Sequence, residues 1–220
     1  IHGFGGVDVM DNNIEGTLHT MSEGLLTTGV TSFLPTTLTS SYEQLLAVTE
    51  NIGARYQEAS GAKIRGLYFE GPYFTEKYKG AQNPAYMKDP RMDEFRAWQK
   101  AANGLLNKIA LAPEREGVEE FVRTITDEGV TVALGHSDAT YDEAKVAVEA
   151  GASVWVHAYN GMRGLTHREL GMVGAMYALP HTYAELICDG HHVDPKACDI
   201  LLKQKGHEHV ALITDCMTAG

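Results

Sequence analysis

Apolar, β-branched runs alternate along the chain with stretches whose apolar residues recur every three or four positions. Val30–Pro35 reads as a strand that its proline stops, and 41–59 as a helix with Leu45, Leu46, Val48 and Ile52 on one face. Ile64–Phe69 is a strand. A polar stretch bearing glycine and proline runs from Glu70 to about Pro90, too long for an ordinary connection and therefore a candidate functional loop. The alternation then becomes strict: helix 90–102, strand 108–112, helix 117–127, strand 130–134, helix 141–150, strand 153–156. A second long loop over 157–172 precedes strand 184–188, helix 194–205 and strand 209–213.

Strict alternation with near-continuous apolar strands predicts a parallel sheet covered by helices. About seven such strands favour a (β/α)8 TIM-like barrel over an open doubly wound sheet. His2-Gly3-Phe4-Gly5-Gly6 is glycine-rich, but no G-x-G-x-x-G follows a strand. With no linker or internal repeat in view, residues 1–220 read as one barrel domain. The opening on Ile1 and the stop just past an apolar run read as a piece of a longer chain.

The chain has 220 residues, 44% of them hydrophobic, which supports a sizeable core. The net charge of -11 argues against a partner that is nucleic acid or an anionic membrane surface, since both need clustered Lys and Arg. No apolar run is long enough to span a membrane. Three cysteines, Cys188, Cys198 and Cys216, without C-x-x-C spacing read as reduced thiols and so as a cytoplasmic protein. Ten histidines in an acidic chain point to metal chemistry.

The chemistry lies in the positions of the polar residues. Glu70, His136, His157, Asp189 with His191 and His192, and Asp215 each follow a strand-like run. In a barrel the C-terminal strand ends share one mouth, where active sites lie. Glu, His and Asp together form a metal-ligand set with room for water. Taken singly, each could instead be a helix cap or a loop hydrogen-bonding group, and Asp138 and Asp194 near helix starts read as caps.

Six segments carry a family resemblance: Ile1-His2-Gly3; Phe69-Glu70-Gly71-Pro72-Tyr73-Phe74 with Lys79-Gly80-Ala81-Gln82-Asn83-Pro84; Gly135-His136-Ser137-Asp138-Ala139-Thr140; His157-Ala158-Tyr159-Asn160-Gly161-Met162 with His167-Arg168-Glu169; Cys188-Asp189-Gly190-His191-His192-Val193; and Thr214-Asp215-Cys216-Met217-Thr218-Ala219-Gly220. In this order they resemble the N-acetylglucosamine-6-phosphate deacetylases of the amidohydrolase superfamily. The resemblance implies a divalent cation on Glu70, His136 and His157: zinc first, with iron, manganese and cobalt compatible with the same donors. It implies Asp215 as catalytic acid/base and His192 as the contact to the acetamide carbonyl. Ala81, Asn160, Gly161 and Asp189 fall among substrate-binding positions, Ala81 and Gly161 through their backbone. Arg168 falls where the sugar phosphate is held, often from the neighbouring subunit of a homodimer. His2 would be the second member of a His-x-His pair that some relatives use for a second metal. The alternatives are an N-acetylgalactosamine-6-phosphate deacetylase, another amidohydrolase, or an inactive barrel that binds a sugar phosphate. Leu170 replaces the family's proline after Arg168-Glu169, removing a fixed φ from that turn. The family's small β-sandwich domain lies outside this sequence.

Overall fold

The computed structural model describes residues 1–11 and 16–220. In chain order the elements are β1 (Gly3–Phe4), β2 (Val7–Asp8), α1 (Thr17–Thr27), β3 (Ser32–Phe33), β4 (Thr36–Thr37), α2 (Tyr42–Arg55), β5 (Lys63–Ile64) and β6 (Leu67–Glu70). After them come α3 (Met92–Ala101), β7 (Leu106–Leu111), α4 (Val118–Asp127), β8 (Thr131–Leu134), α5 (Tyr141–Glu149) and β9 (Val154–Trp155). The described chain closes with α6 (Gly171–Ala178), β10 (Tyr183–Ile187), α7 (Pro195–Lys205) and β11 (Val210–Ile213). This is an α/β fold. The order in its seven-stranded sheet is β11-β10-β9-β8-β7-β6-β4. That order follows the sequence without the reversal that marks a doubly wound sheet. Among the described residues, no helix is long and apolar enough to cross a membrane.

Contacts divide the chain into two compact units. The first comprises Ile1–Glu70, Arg91–Ile109 and Asp215–Gly220. Helix α2 forms as its periodicity predicts: the Ser41 hydroxyl accepts from Gln44 N at 3.2 Å, and Leu45, Val48 and Ile52 are buried. Gly53 lets α2 approach α3 closely, because a Cβ there would stand 2.6 Å from the Ala101 carbonyl oxygen. Trp98 of α3 is fully buried, with ring centroids 5.8 Å from Tyr42 and 5.1 Å from Phe69. Strand β4 runs parallel to β6, with Thr37 opposite Phe69.

The second unit comprises Gly71–Pro90 and Ala110–Thr214. Strands β8, β9, β10 and β11 are parallel neighbours in that order. Helix α4 buries Val118, Phe121, Val122 and Ile125 on one face. Thr140 and Glu143 close a capping box on α5, and Asp194 caps α7 ahead of Pro195.

Several expectations change. Of the run 30–35 only Ser32–Phe33 is strand, β3, which pairs with β5; β4 starts past the proline, at Thr36, and pairs with β6. The strand expected over 64–69 breaks at Gly66, where any Cβ would collide with the Asn107 side chain. Asp138 does not cap α5, since Thr140 does; Asp138 instead accepts from Lys77 Nζ at 2.8 Å. The loop expected to run to about residue 172 ends at α6, which begins at Gly171 and was not foreseen. Helix α1 was not foreseen.

Candidate active site

In the first unit, β6 ends on Glu70, and His2 and Asp215 come beside it. The amides of His2 and Gly3 both donate to the Cys216 carbonyl, at 2.8 and 3.2 Å, which draws Asp215 to this end of the unit. The His2 Nδ1 lies 3.1 Å from the Thr36 carbonyl, and its Nε2 lies 3.0 Å from Glu70 Oε2 and 3.4 Å from Asp215 Oδ1. A ring facing acceptors on both nitrogens must donate from both. Burial alone would push the imidazole down, yet bonding to Asp215 and Glu70, with the Glu70 charge, raises it to about 9. His2 is therefore an imidazolium here. The donor atoms of His2, Glu70 and Asp215 all lie within 4.8 Å of one another.

In the second unit, His136 and His157 each stand two residues past a strand, β8 and β9. Both are buried. Their Nδ1 atoms face carbonyl oxygens, His136 that of Tyr78 at 2.9 Å and His157 that of Asn160 at 3.0 Å. Each Nδ1 therefore carries the hydrogen, which leaves the two Nε2 atoms to present lone pairs towards each other. The two Nε2 atoms are 3.1 Å apart. Two lone pairs at that distance repel unless a proton or a cation lies between them, so the pair has the chemistry of a metal-donor set. The rings meet edge to face, and Phe74 packs on His136 at 4.6 Å between centroids.

Backbone conformation marks the same residues. Five non-glycine residues among those described have positive φ, and three of them are His136 (47), His157 (28) and Asp215 (52). Left-handed backbone is costly outside glycine and clusters at functional sites. Gly161 and Gly80 give the His136 ring its room: an added Cβ would lie 2.9 Å from His136 Nδ1 at Gly161 and 3.3 Å from its Cε1 at Gly80.

Asp189 is exposed at the end of β10 and accepts three bonds: from His191 N at 2.8 Å, from His192 N at 2.9 Å and from His192 Nδ1 at 2.6 Å. Those donors, the His192 amide foremost, hold its carboxyl well below the usual range. Asp189 thereby orients the His192 ring through Nδ1. Asn160 donates from Nδ2 to the carbonyls of His157 and Ala158, both at 3.3 Å. The Gly161 carbonyl accepts from Ser137 N. Ala81 and Arg168 are exposed. Glu169 pairs with Arg163 at 3.8 Å. Sequence reading passed over Glu114, whose carboxylate joins the loops around His136. It also passed over the Tyr78 carbonyl, which fixes the His136 tautomer; neither carried a side-chain signal.

Strand-end imidazoles and carboxylates on a parallel α/β sheet are side chains suited to metal-assisted chemistry. No protein-family model matches the chain. Over 220 residues it is 43% identical to the N-acetylglucosamine-6-phosphate deacetylase of Vibrio furnissii, of which it spans 55%. It is 41% identical to the N-acetylgalactosamine-6-phosphate deacetylase of Escherichia coli O157:H7, of which it spans 58%. A solved variant of N-acetyl-D-glucosamine-6-phosphate deacetylase from Mycobacterium smegmatis, in complex with N-acetyl-D-glucosamine-6-phosphate, superposes with a TM-score of 0.89 at 29% identity, covering 99% of this chain and 56% of that one. The chain is thus an end-to-end homologue of the amino-sugar 6-phosphate deacetylases and spans just over half of their length.

Proposed function

We propose that the protein is a metal-dependent deacetylase that hydrolyses the acetamide of N-acetylglucosamine 6-phosphate to glucosamine 6-phosphate and acetate. In this reading the chain is the larger part of a (β/α)8 barrel domain in a cytoplasmic, dimeric enzyme. The observation that carries the reading is the close Nε2 pair of His136 and His157, whose tautomers suit a cation. Their roles, with Glu70 as third ligand, follow from the homology. A divalent cation held by these three residues would supply a Lewis acid and would lower the pKa of a water bound there towards neutrality. A ligand role for His2 would require its ring to give up the Nε2 proton it now donates to the carboxylates.

The chain's own residues do the remaining work. Asp215 takes the proton of the attacking water and returns it to the sugar nitrogen, a general acid–base contribution of roughly 10²- to 10⁴-fold. His192, its Nδ1 held by Asp189, turns Nε2 to the acetyl oxygen; one such donor is worth roughly 3 kcal/mol in the transition state. Asn160 and the backbone at Ala81 and Gly161 contact the sugar. Arg168 offers the phosphate a guanidinium fork, the local cation that a dianion needs in a chain of net charge -11.

The galactosamine relative favours a second substrate: the epimer N-acetylgalactosamine 6-phosphate. Acetate release by the zinc-loaded protein from both sugar phosphates tests the proposal. Release from the glucosamine substrate with the higher kcat/KM is expected. A higher value for the epimer would reassign the substrate, and no acetate from either, with sugar phosphate still bound, would leave an inactive binding barrel.

A further inference from the structure

Strand β7 supplies none of the proposed ligands or substrate contacts, yet the loop after it carries a carboxylate that accepts three hydrogen bonds. Three residues past β7, Glu114 follows Pro113, whose ring fixes its own φ. Glu114 Oε1 accepts from Thr75 Oγ1 at 2.6 Å and from Asp138 N at 2.8 Å, and Oε2 accepts from Ser137 Oγ at 2.7 Å. Each of these donors is tied to the backbone of His136. Thr75 N donates to the His136 carbonyl at 3.1 Å, and Ser137 and Asp138 directly follow the ring. Ser137 also carries the linkage onward. Its N donates to the Gly161 carbonyl and its carbonyl accepts from Arg163 N, both at 3.0 Å, so the loop that presents His157 is bonded to the same residue. His157 in turn holds the Asn160 carbonyl through Nδ1.

We infer that Glu114 is the positioning residue of the His136–His157 pair: one carboxylate ties the loops after β6, β7 and β8 and, through Ser137, the loop after β9. The physical need is the backbone of His136, whose φ of 47 is a conformation that a β-strand end does not adopt unaided. Charge-assisted bonds from a neighbouring loop hold it there. Glu114 acts only through other residues. This inference rests on the metal-centre reading for its functional consequence, but not for its geometry.

The test uses the protein with the variants Glu114→Ala, Glu114→Gln and His136→Ala, each measured for Co(II) affinity by chelator competition, for the Co(II) visible spectrum and for melting temperature. Removing an outer partner of a metal ligand typically costs roughly 10- to 100-fold in affinity. Glu114→Ala is expected to lose that much and to alter the spectrum. Glu114→Gln is expected to recover most of it, because its carbonyl keeps two acceptor bonds and its amide can donate to the Ser137 hydroxyl. A Glu114→Ala protein that melts lower yet binds Co(II) like wild type, with the same spectrum, has lost only a structural brace, and the inference is overturned. Should His136→Ala bind Co(II) as wild type does, the metal-centre reading fails instead. The inference is then decided by ¹⁵N resonances of the His136 and His157 rings, expected to move in Glu114→Ala and refuting it if they stay.

Discussion

A single methyl group added at Gly161 should disable the histidine pair. The backbone there has a φ of 61, and an alanine Cβ would lie 2.9 Å from His136 Nδ1, 3.3 Å from its Cε1 and 3.3 Å from the Tyr78 carbonyl oxygen. Ordinary contact begins near 3.4 Å, so the ring must retreat by several tenths of an ångström. Retreat stretches the 2.9 Å bond from Nδ1 to Tyr78, the bond that fixes which nitrogen carries the hydrogen. Left-handed backbone costs an alanine about 1–2 kcal/mol, and the weakened hydrogen bond costs about 0.5–1.5 kcal/mol. The expected loss of stability is thus about 1.5–3.5 kcal/mol, together with a roughly tenfold or greater loss of Co(II) affinity.

Gly164→Ala is the matched control. It lies in the same loop, and an added Cβ there meets nothing within 4 Å. It should stay within about 0.5 kcal/mol of wild type and keep its metal affinity. Urea unfolding and chelator competition on both variants decide the matter. If Gly161→Ala matches Gly164→Ala in both measurements, the ring has room that the structure denies it, and the steric account of the site is wrong.

What the sequence disclosed and what it hid divide along a physical line. Helix α2 was legible because Ser41, a one-sided apolar face and a long uninterrupted run all report the same element. Helix α1 was not, because its N-cap is the left-handed Gly16 with no side-chain bond and Gly24 interrupts its interior. Helix α6 was lost for the opposite reason: Gly171–Ala178 is apolar almost all round, so it has no periodicity to read. The strand-end donors were legible since imidazoles and carboxylates after apolar runs stand out as residue types. The tautomers of His136 and His157 were hidden, for they are set by the carbonyls of Tyr78 and Asn160, which every residue possesses. The imidazolium state of His2 was hidden as well, since it depends on Glu70 and Asp215, 68 and 213 positions away. Glu114 was passed over because its meaning lies wholly in its partners, 39, 23 and 24 residues distant.

Two further expectations concern charge. Arg168 is exposed on the loop before α6, where Glu169 turns to Arg163. Arg168→Ala should raise KM for the 6-phosphate sugar by tenfold or more, by the roughly 1.5–3 kcal/mol of a charged hydrogen bond, while kcat changes little. An unchanged KM in steady-state assays would remove Arg168 from the phosphate site. Lys205 is buried at the end of α7, with Nζ 2.8 Å from Thr182 Oγ1 and 3.0 Å from the Leu179 carbonyl. Burial lowers its pKa from 10.5 to about 8. The folded protein then binds fewer protons here than the unfolded chain between those two values, so stability rises with pH across that window, and below it the penalty of burying the ammonium is present in full. The full rise is at most about 3 kcal/mol, from 1.36 kcal/mol per unit. His2 works in the opposite sense. Raised to about 9, it stabilises fully below its ordinary value of 6.5 and loses that contribution as pH climbs through 9. The two slopes oppose each other, so the total pH profile does not isolate Lys205; the difference between wild type and Lys205→Met does. Urea unfolding at pH 7 and near pH 10 should show wild type gaining on Lys205→Met as the pH rises. A difference that is flat, or of the reverse sign, would mean that the Thr182 and Leu179 oxygens fully offset the desolvation of the buried ammonium.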